Sequence, residues 1–203
     1  MRATTLLLFF SLPSIAGDNL ISMQLEGTSL SITTKQEGTS NYIDADVLEN
    51  NSVITVTQEG DDNEAWLDVS GASSNYKIEQ LGNNGYAEIV AASSNSTAWV
   101  TQQDAGQHNA YIYSASGADN NTTRIIQSGA GNKDADIFWY ADADNGEVTL
   151  TQEGGGAHSA LMKFYTDDYD VTVLQQGVTA KAYSATFNCA GSCDKTISIT
   201  QQD

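Results

Sequence analysis

The chain has 203 residues, of which 26 are Asp or Glu against 8 Lys or Arg, with 17 Gly, 2 Cys and 1 Pro, and its formal net charge is −18. Such a charge repels phosphate backbones and anionic headgroups, and no apolar run after the N-terminus approaches the roughly 18 residues a membrane helix needs. No nucleic-acid partner and no membrane insertion are therefore expected, while a hydrophobic fraction of 40% still permits a folded core.

Residues 1–16 read as a secretory signal, with Arg2 as the basic start, Leu6 to Phe10 as the apolar centre, Pro13 as the break and Ser14-Ile15-Ala16 as the cleavage site. The protein is expected to be exported. Its removal would leave 187 residues (203 − 16), 7 basic against 26 acidic, with no proline at all. Proline cannot donate to a β ladder, so its exclusion points to unusually continuous β-structure. Residues 17–30 carry one stray Gln24-x-x-Gly27 and are expected to be irregular.

From residue 31 to residue 203 the sequence repeats. Gln recurs at Gln36, Gln58, Gln80, Gln102, Gln127, Gln152, Gln175 and Gln201, at intervals of 22, 22, 22, 25, 25, 23 and 26, the period of a solenoid rung. Turn glycines follow at Gly38, Gly60, Gly82, Gly106, Gly129, Gly154 and Gly177, with Asn41, Asn63, Asn109 and Asn132 three residues beyond four of them and Gly85, Ala157 and Ala180 in the other units. Gly and Asn both tolerate the left-handed backbone of a tight reversal.

Upstream of each Gln, apolar residues alternate with polar ones, as in Ile54, Val56 and Gln58 against Thr55 and Thr57. Period two is the mark of a half-buried strand, and parity places each repeated Gln inward with the aliphatics. Stacked at about 4.8 Å, each amide can donate to one neighbour and accept from the other, which satisfies a group that burial would otherwise penalise. After the turn a second alternating strand follows, as in Ala65, Leu67 and Val69, with an apparent slip of one residue from Asn132 onward. The expected fold is all-β: a solenoid of about eight strand-turn-strand rungs, the last ending after its first strand, cross-β-like, with an inward Gln ladder.

The remaining chemistry is sparse. His108 and His158 read as solvent-exposed side chains after turns, and no nucleophile or metal-ligand motif is present, so no catalytic, cofactor or metal site is expected. The acidic groups, such as Asp44/Asp46 and Asp134/Asp136, read as a solvated surface, and the tryptophans as packing within the rungs. Cys189 and Cys193 frame Ala-Gly-Ser in a chain expected to be exported, so a disulfide closing the last loop is expected.

The unit Gln58-Glu-Gly-Asp-Asp-Asn63-Glu-Ala65 resembles the curlin repeat of curli subunits, and the match runs over roughly residues 31–203. Where that family places a second Gln, at the end of the second strand, this chain has Val69, Ala91 or Ala115. The resemblance implies a secreted, non-enzymatic subunit of cross-β fibres at the bacterial cell surface, adhesive and part of biofilm matrix. Its implied partners are itself, other curli-like subunits and a secretion machinery. The alternative is a monomeric secreted β-solenoid that binds a surface or ligand, in the manner of an ice-binding protein or adhesin, suggested by Thr55-x-Thr57 and Thr149-x-Thr151.

Overall fold

The computed structural model describes residues 7–11, 19–103, 107–114, 120–140, 145–165, 168–188 and 195–203. Gly106, Ala115, Cys189 and Cys193 lie outside the described residues, so the expected disulfide does too, as does most of the segment read as a signal.

The described residues form seventeen strands. In order they are β1 (Leu7–Ser11), β2 (Asn19–Thr28), β3 (Ser31–Glu37), β4 (Asn41–Asn50), β5 (Val53–Glu59), β6 (Glu64–Ala72), β7 (Asn75–Gln80), β8 (Tyr86–Ser94) and β9 (Thr97–Gln102). They continue as β10 (His108–Ser114), β11 (Thr122–Gln127), β12 (Lys133–Trp139), β13 (Gly146–Gln152), β14 (His158–Phe164), β15 (Tyr169–Gln175), β16 (Lys181–Phe187) and β17 (Lys195–Gln201). Odd strands form one parallel sheet and even strands a second, each strand paired with those one rung before and after it. This is an all-β solenoid in which β1 and β2 lead into seven rungs from β3–β4 to β15–β16 and β17 is half of the next.

The alternation works as the sequence pattern requires. Along β5 every second residue is buried, and Ile54, Val56 and Gln58 are all fully enclosed. Facing them across the core are Ile43, Ala45 and Val47 of β4 and Ala65, Leu67 and Val69 of β6, all at most 1% exposed. A parallel sheet elsewhere needs helical crossovers. Here the opposite sheet supplies the return path, so each strand's backbone pairs with the next rung and its inner face packs against the facing strand.

Two expectations are corrected. Asn19–Thr28, read as irregular, is the regular strand β2, paired in register with β4 from Asn19↔Asn41 to Thr28↔Asn50. The slip of phase begins one rung earlier than expected: Ala110 and Ile112 are already the buried residues of β10, paired with Ala87 and Ile89. The cause is one added turn residue. The first inward residue after the turn lies five places beyond Gln36 and Gln58, at Asn41 and Asn63, but six beyond Gln102 and Gln127, at His108 and Lys133.

Candidate functional site

The inward polar residues stack into columns that run along the solenoid. Gln36, Gln58, Gln80, Gln102, Gln127, Gln152, Gln175 and Gln201 pair rung to rung in register. The first seven are at most 1% exposed, whereas Gln201, on the outermost strand, is exposed. Although the buried Gln175 amide finds no partner, those of Gln58, Gln80, Gln102 and Gln127 use their two N–H groups differently. One bridges its own turn: Gln58 Nε2 donates to the Glu64 carbonyl at 2.9 Å and Gln127 Nε2 to the Asp134 carbonyl at 3.1 Å. The other reaches the neighbouring rung.

The direction of that second bond reverses along the column. Gln58 donates to Gln36 Oε1 at 3.1 Å and Gln80 to Gln58 Oε1 at 2.9 Å, toward the N-terminal rungs. Gln102 donates to Gln127 Oε1 at 3.4 Å and Gln127 to Gln152 Oε1 at 3.3 Å, toward the C-terminal rungs. Between the two runs the Oε1 atoms of Gln80 and Gln102 are both buried acceptors with no donor. Both crowd Gly85, where an added Cβ would lie 2.5 Å and 2.2 Å from them.

Gly85 interrupts a second column. Asn19 Nδ2 donates to Asn41 Oδ1 at 2.8 Å and Asn41 Nδ2 to Asn63 Oδ1 at 2.7 Å, and Asn63 Nδ2 reaches the Gly82 carbonyl. In these rungs the asparagine dipoles point C-terminally while the glutamine dipoles point N-terminally, so they oppose each other. Beyond Gly85 the same position holds His108, Lys133, His158 and Lys181, paired in register. The histidines expected in solvent are 1% and 2% exposed, because the lengthened turn swings them inward. Asn109 and Asn132 are displaced from the column by that same residue, and Asn132 is exposed. Lys133 Nζ donates to the Gly154 carbonyl at 3.0 Å and the Gly131 carbonyl at 3.4 Å, and burial pushes its ammonium below the usual lysine range. His158 Nε2 contacts the Glu153 carbonyl.

The opposite corner holds a third column that sequence reasoning missed. Ser52, Ser74 and Ser96 are buried, and each hydroxyl accepts from the backbone N–H one rung below: Leu30 to Ser52 at 2.7 Å, Ser52 to Ser74 at 3.0 Å and Ser74 to Ser96 at 3.2 Å. Asn121 Oδ1 continues it, accepting from the Ser96 N–H at 2.8 Å. Their 22-residue spacing was the available signal, but they sit in segments that read as closing loops. In later rungs bulky rings replace the small polar groups. Trp139 fills the space over Gly146, where a Cβ would fall 1.5 Å from its ring, and Phe164, Tyr169 and Phe187 stack with centroids 5.1 to 5.4 Å apart.

The turn glycines divide likewise. Gly38 and Gly60 have φ of 69° and 66°, but in the next rung Asn83 rather than Gly82 is left-handed, and later Gly155 rather than Gly154. At the position of the family's second Gln, Val69, Ala91, Ser114 and Trp139 stack.

The outer faces differ from each other. That of the odd strands carries threonine rows interrupted by Lys77, Trp99 and Arg124, with both cations over the indole at 5.1 Å and 4.7 Å. That of the even strands carries most of the strand carboxylates and a run of rings from Trp66 to Tyr111. Trp66 and Trp99 thus lie outside, and of the three tryptophans Trp139 alone packs within a rung. No group of three or more His, Cys, Asp or Glu suited to a metal ion occurs among the described residues.

Among the described residues, β17 pairs only with β15 and β16 only with β14. Ile197 and Ile199, in register with Val171 and Val173, are 39% and 43% exposed where those valines are 1% exposed. No known family model matches the chain, and no curated protein or solved structure was found to match it.

Proposed function

We propose that this chain is a secreted, non-enzymatic structural subunit that stacks copies of itself end to end into curli-like amyloid fibres on a bacterial surface, serving adhesion and biofilm matrix. The observation that carries this reading is the in-register parallel stack, in which each rung lays its inward side chains on those of the previous rung. Nothing in that geometry depends on the two rungs belonging to one molecule. The exposed isoleucines of β17 add an apolar edge with unpaired backbone groups, the arrangement that recruits another strand.

Other curli-like subunits and a secretion machinery are the further partners of this reading. The threonine rows favour it over an ice-binding face, because Lys77, Trp99 and Arg124 break their regularity in the middle rungs. The test is incubation of the purified chain lacking residues 1–16, followed by electron microscopy and fibre diffraction. Fibres with a meridional reflection near 4.8 Å are expected. A chain that stays monomeric at high concentration and over long incubation would overturn the reading and leave the surface-binding solenoid.

A further inference from the structure

The outer face of the even strands alternates rings and carboxylates in two directions. Up one column the rungs carry Asp44, Trp66, Glu88, Tyr111 and Asp136, and up the adjacent column Tyr42, Glu64 and Tyr86. The two columns are out of phase, so Trp66 has carboxylates above, below and beside it, Tyr111 lies between Glu88 and Asp136, and Tyr86 has Glu64 in its own column and Glu88 beside it. Two of the rings are pinned by those neighbours: Trp66 Nε1 donates to Glu64 Oε1 at 2.6 Å and Tyr86 OH to Glu88 Oε2 at 2.6 Å. Tyr86 sits with its centroid 5.1 Å from Trp66 and 5.5 Å from Tyr111, so the three rings form one continuous tilted run.

This arrangement has a sign as well as a shape. Among the described residues of that face Lys163 is the only cation, and it lies over the Phe138 ring at 5.4 Å, two rungs beyond Tyr111. The ring run itself has none. Ring faces and carboxylates are both electronegative, and a carboxylate that accepts one hydrogen bond keeps lone pairs for others. A partner must therefore bring positive charge, donors in a planar fork and a flat body that lies on rings. Guanidinium is the side-chain group that combines all three, since it pairs bidentately with carboxylates and stacks on aromatic faces, whereas an ammonium acts as a point charge.

We propose that this face is a docking surface for an arginine-rich polypeptide segment lying along the solenoid axis over Trp66, Tyr86 and Tyr111. The pinned rings and carboxylates present the site without prior rearrangement, which lowers the ordering cost of binding. Carboxylates recur with the rungs, so several arginines of one segment engage together and their contributions combine. The proposal holds whether or not the chain forms fibres.

The test measures binding of a hexa-arginine peptide by the folded monomer at physiological salt, with hexa-lysine and a hexamer of glucosamine as comparisons. Hexa-arginine is expected to bind at least fivefold tighter than either. Trp66→Leu and Tyr111→Leu keep the net charge and are expected to weaken hexa-arginine about fivefold each, with Trp66→Phe restoring most of the loss. The pair Glu88→Gln with Asp136→Asn should weaken it at least tenfold. The pair Glu37→Gln with Glu147→Gln removes the same charge from the opposite face and should change it less than twofold. All these side chains point outward, and unchanged circular dichroism is the check on folding. Equal losses from both charge pairs, or no loss on removing the rings, would reduce the effect to nonspecific attraction and overturn the proposal. Tighter binding of the amino sugar would overturn the choice of partner.

Discussion

Gln58 shows what one ladder residue does. It donates to Gln36 and to the Glu64 carbonyl, and it accepts from Gln80. Gln58→Ala strips a donor from Gln36 Oε1 and an acceptor from Gln80 Nε2 in a fully buried site, and it also opens a cavity. A loss of about 3 kcal/mol is expected from buried groups left unpaired together with lost packing. Gln201→Ala alters the same residue type where it is exposed, and should cost under about 0.5 kcal/mol. Denaturant unfolding of the two variants checks this, and equal costs would remove the ladder from the account of stability. Gly85 offers the converse. Its missing side chain leaves Gln80 Oε1 and Gln102 Oε1 crowded into the gap without a donor. Gly85→Asn would displace only the flexible ends of two glutamines and supply an amide N–H to one of these oxygens. It should stabilise the chain by about 1 kcal/mol, whereas Gly85→Ala adds the Cβ without the donor and should not.

Strand by strand, the interior of the early rungs is polar at both corners and apolar between them, rings take over one corner in the later rungs, and the even-strand exterior is acidic. Burial, reinforced by Asp134 and opposed by Lys163, raises Asp136 of β12 to about 6 from the usual carboxylate value. A carboxyl raised by folding binds its proton more readily in the native state than in the unfolded chain. Stability therefore falls as pH rises from about 4 through about 6, and is regained on acidification through the same window. Solvent screening at this half-buried site limits the effect to about 1 kcal/mol. Asp136→Asn should raise stability at pH 7 by that amount and leave it unchanged at pH 4, measured by denaturant unfolding at each pH. An unchanged difference between the two proteins across that range would sink the assignment. How much of the element structure was legible in the sequence follows from the same geometry. Strict period-two alternation before each Gln, as at Ile54, Val56 and Gln58, identified the odd strands from β3 onward and their parity, since only one register buries the aliphatics, whereas β1 carries no such Gln and was read as part of a signal. The turn after Gln102 misled because the Gly and Asn at Asn109 and Asn132 keep nearly the same spelling while one inserted residue transfers the inward role to His108 and Lys133. Ser52, Ser74 and Ser96 stayed hidden because their hydroxyls accept from the backbone of the neighbouring rung, a partner that local reading does not see.

At the scale of the whole molecule, two forces act on stacking with opposite sign. A net charge of −18 makes copies repel, whereas in the proposed assembly the exposed edge of β17 draws them to pair. The double substitution Ile197→Lys with Ile199→Lys separates them. It adds two positive charges, which moves the net charge from −18 to −16 and weakens repulsion between copies. If repulsion governed assembly, fibres would form sooner. But these two positions continue the buried column of Val171 and Val173, and a copy seated on β17 would enclose them as β17 partly encloses those valines. Burying an unpaired ammonium costs several kcal/mol, whereas in the monomer both positions are exposed enough for a lysine to keep its charge in water. The variant is therefore expected to fold with a loss of no more than about 1 kcal/mol and to elongate at least tenfold more slowly than the parent, also when seeded with parent fibres. Seeded growth followed by light scattering, with unfolding of the monomer as the control, decides it. Faster growth would place charge rather than the β17 edge in command of assembly. Unchanged growth would mean that copies meet through some surface other than this end of the solenoid.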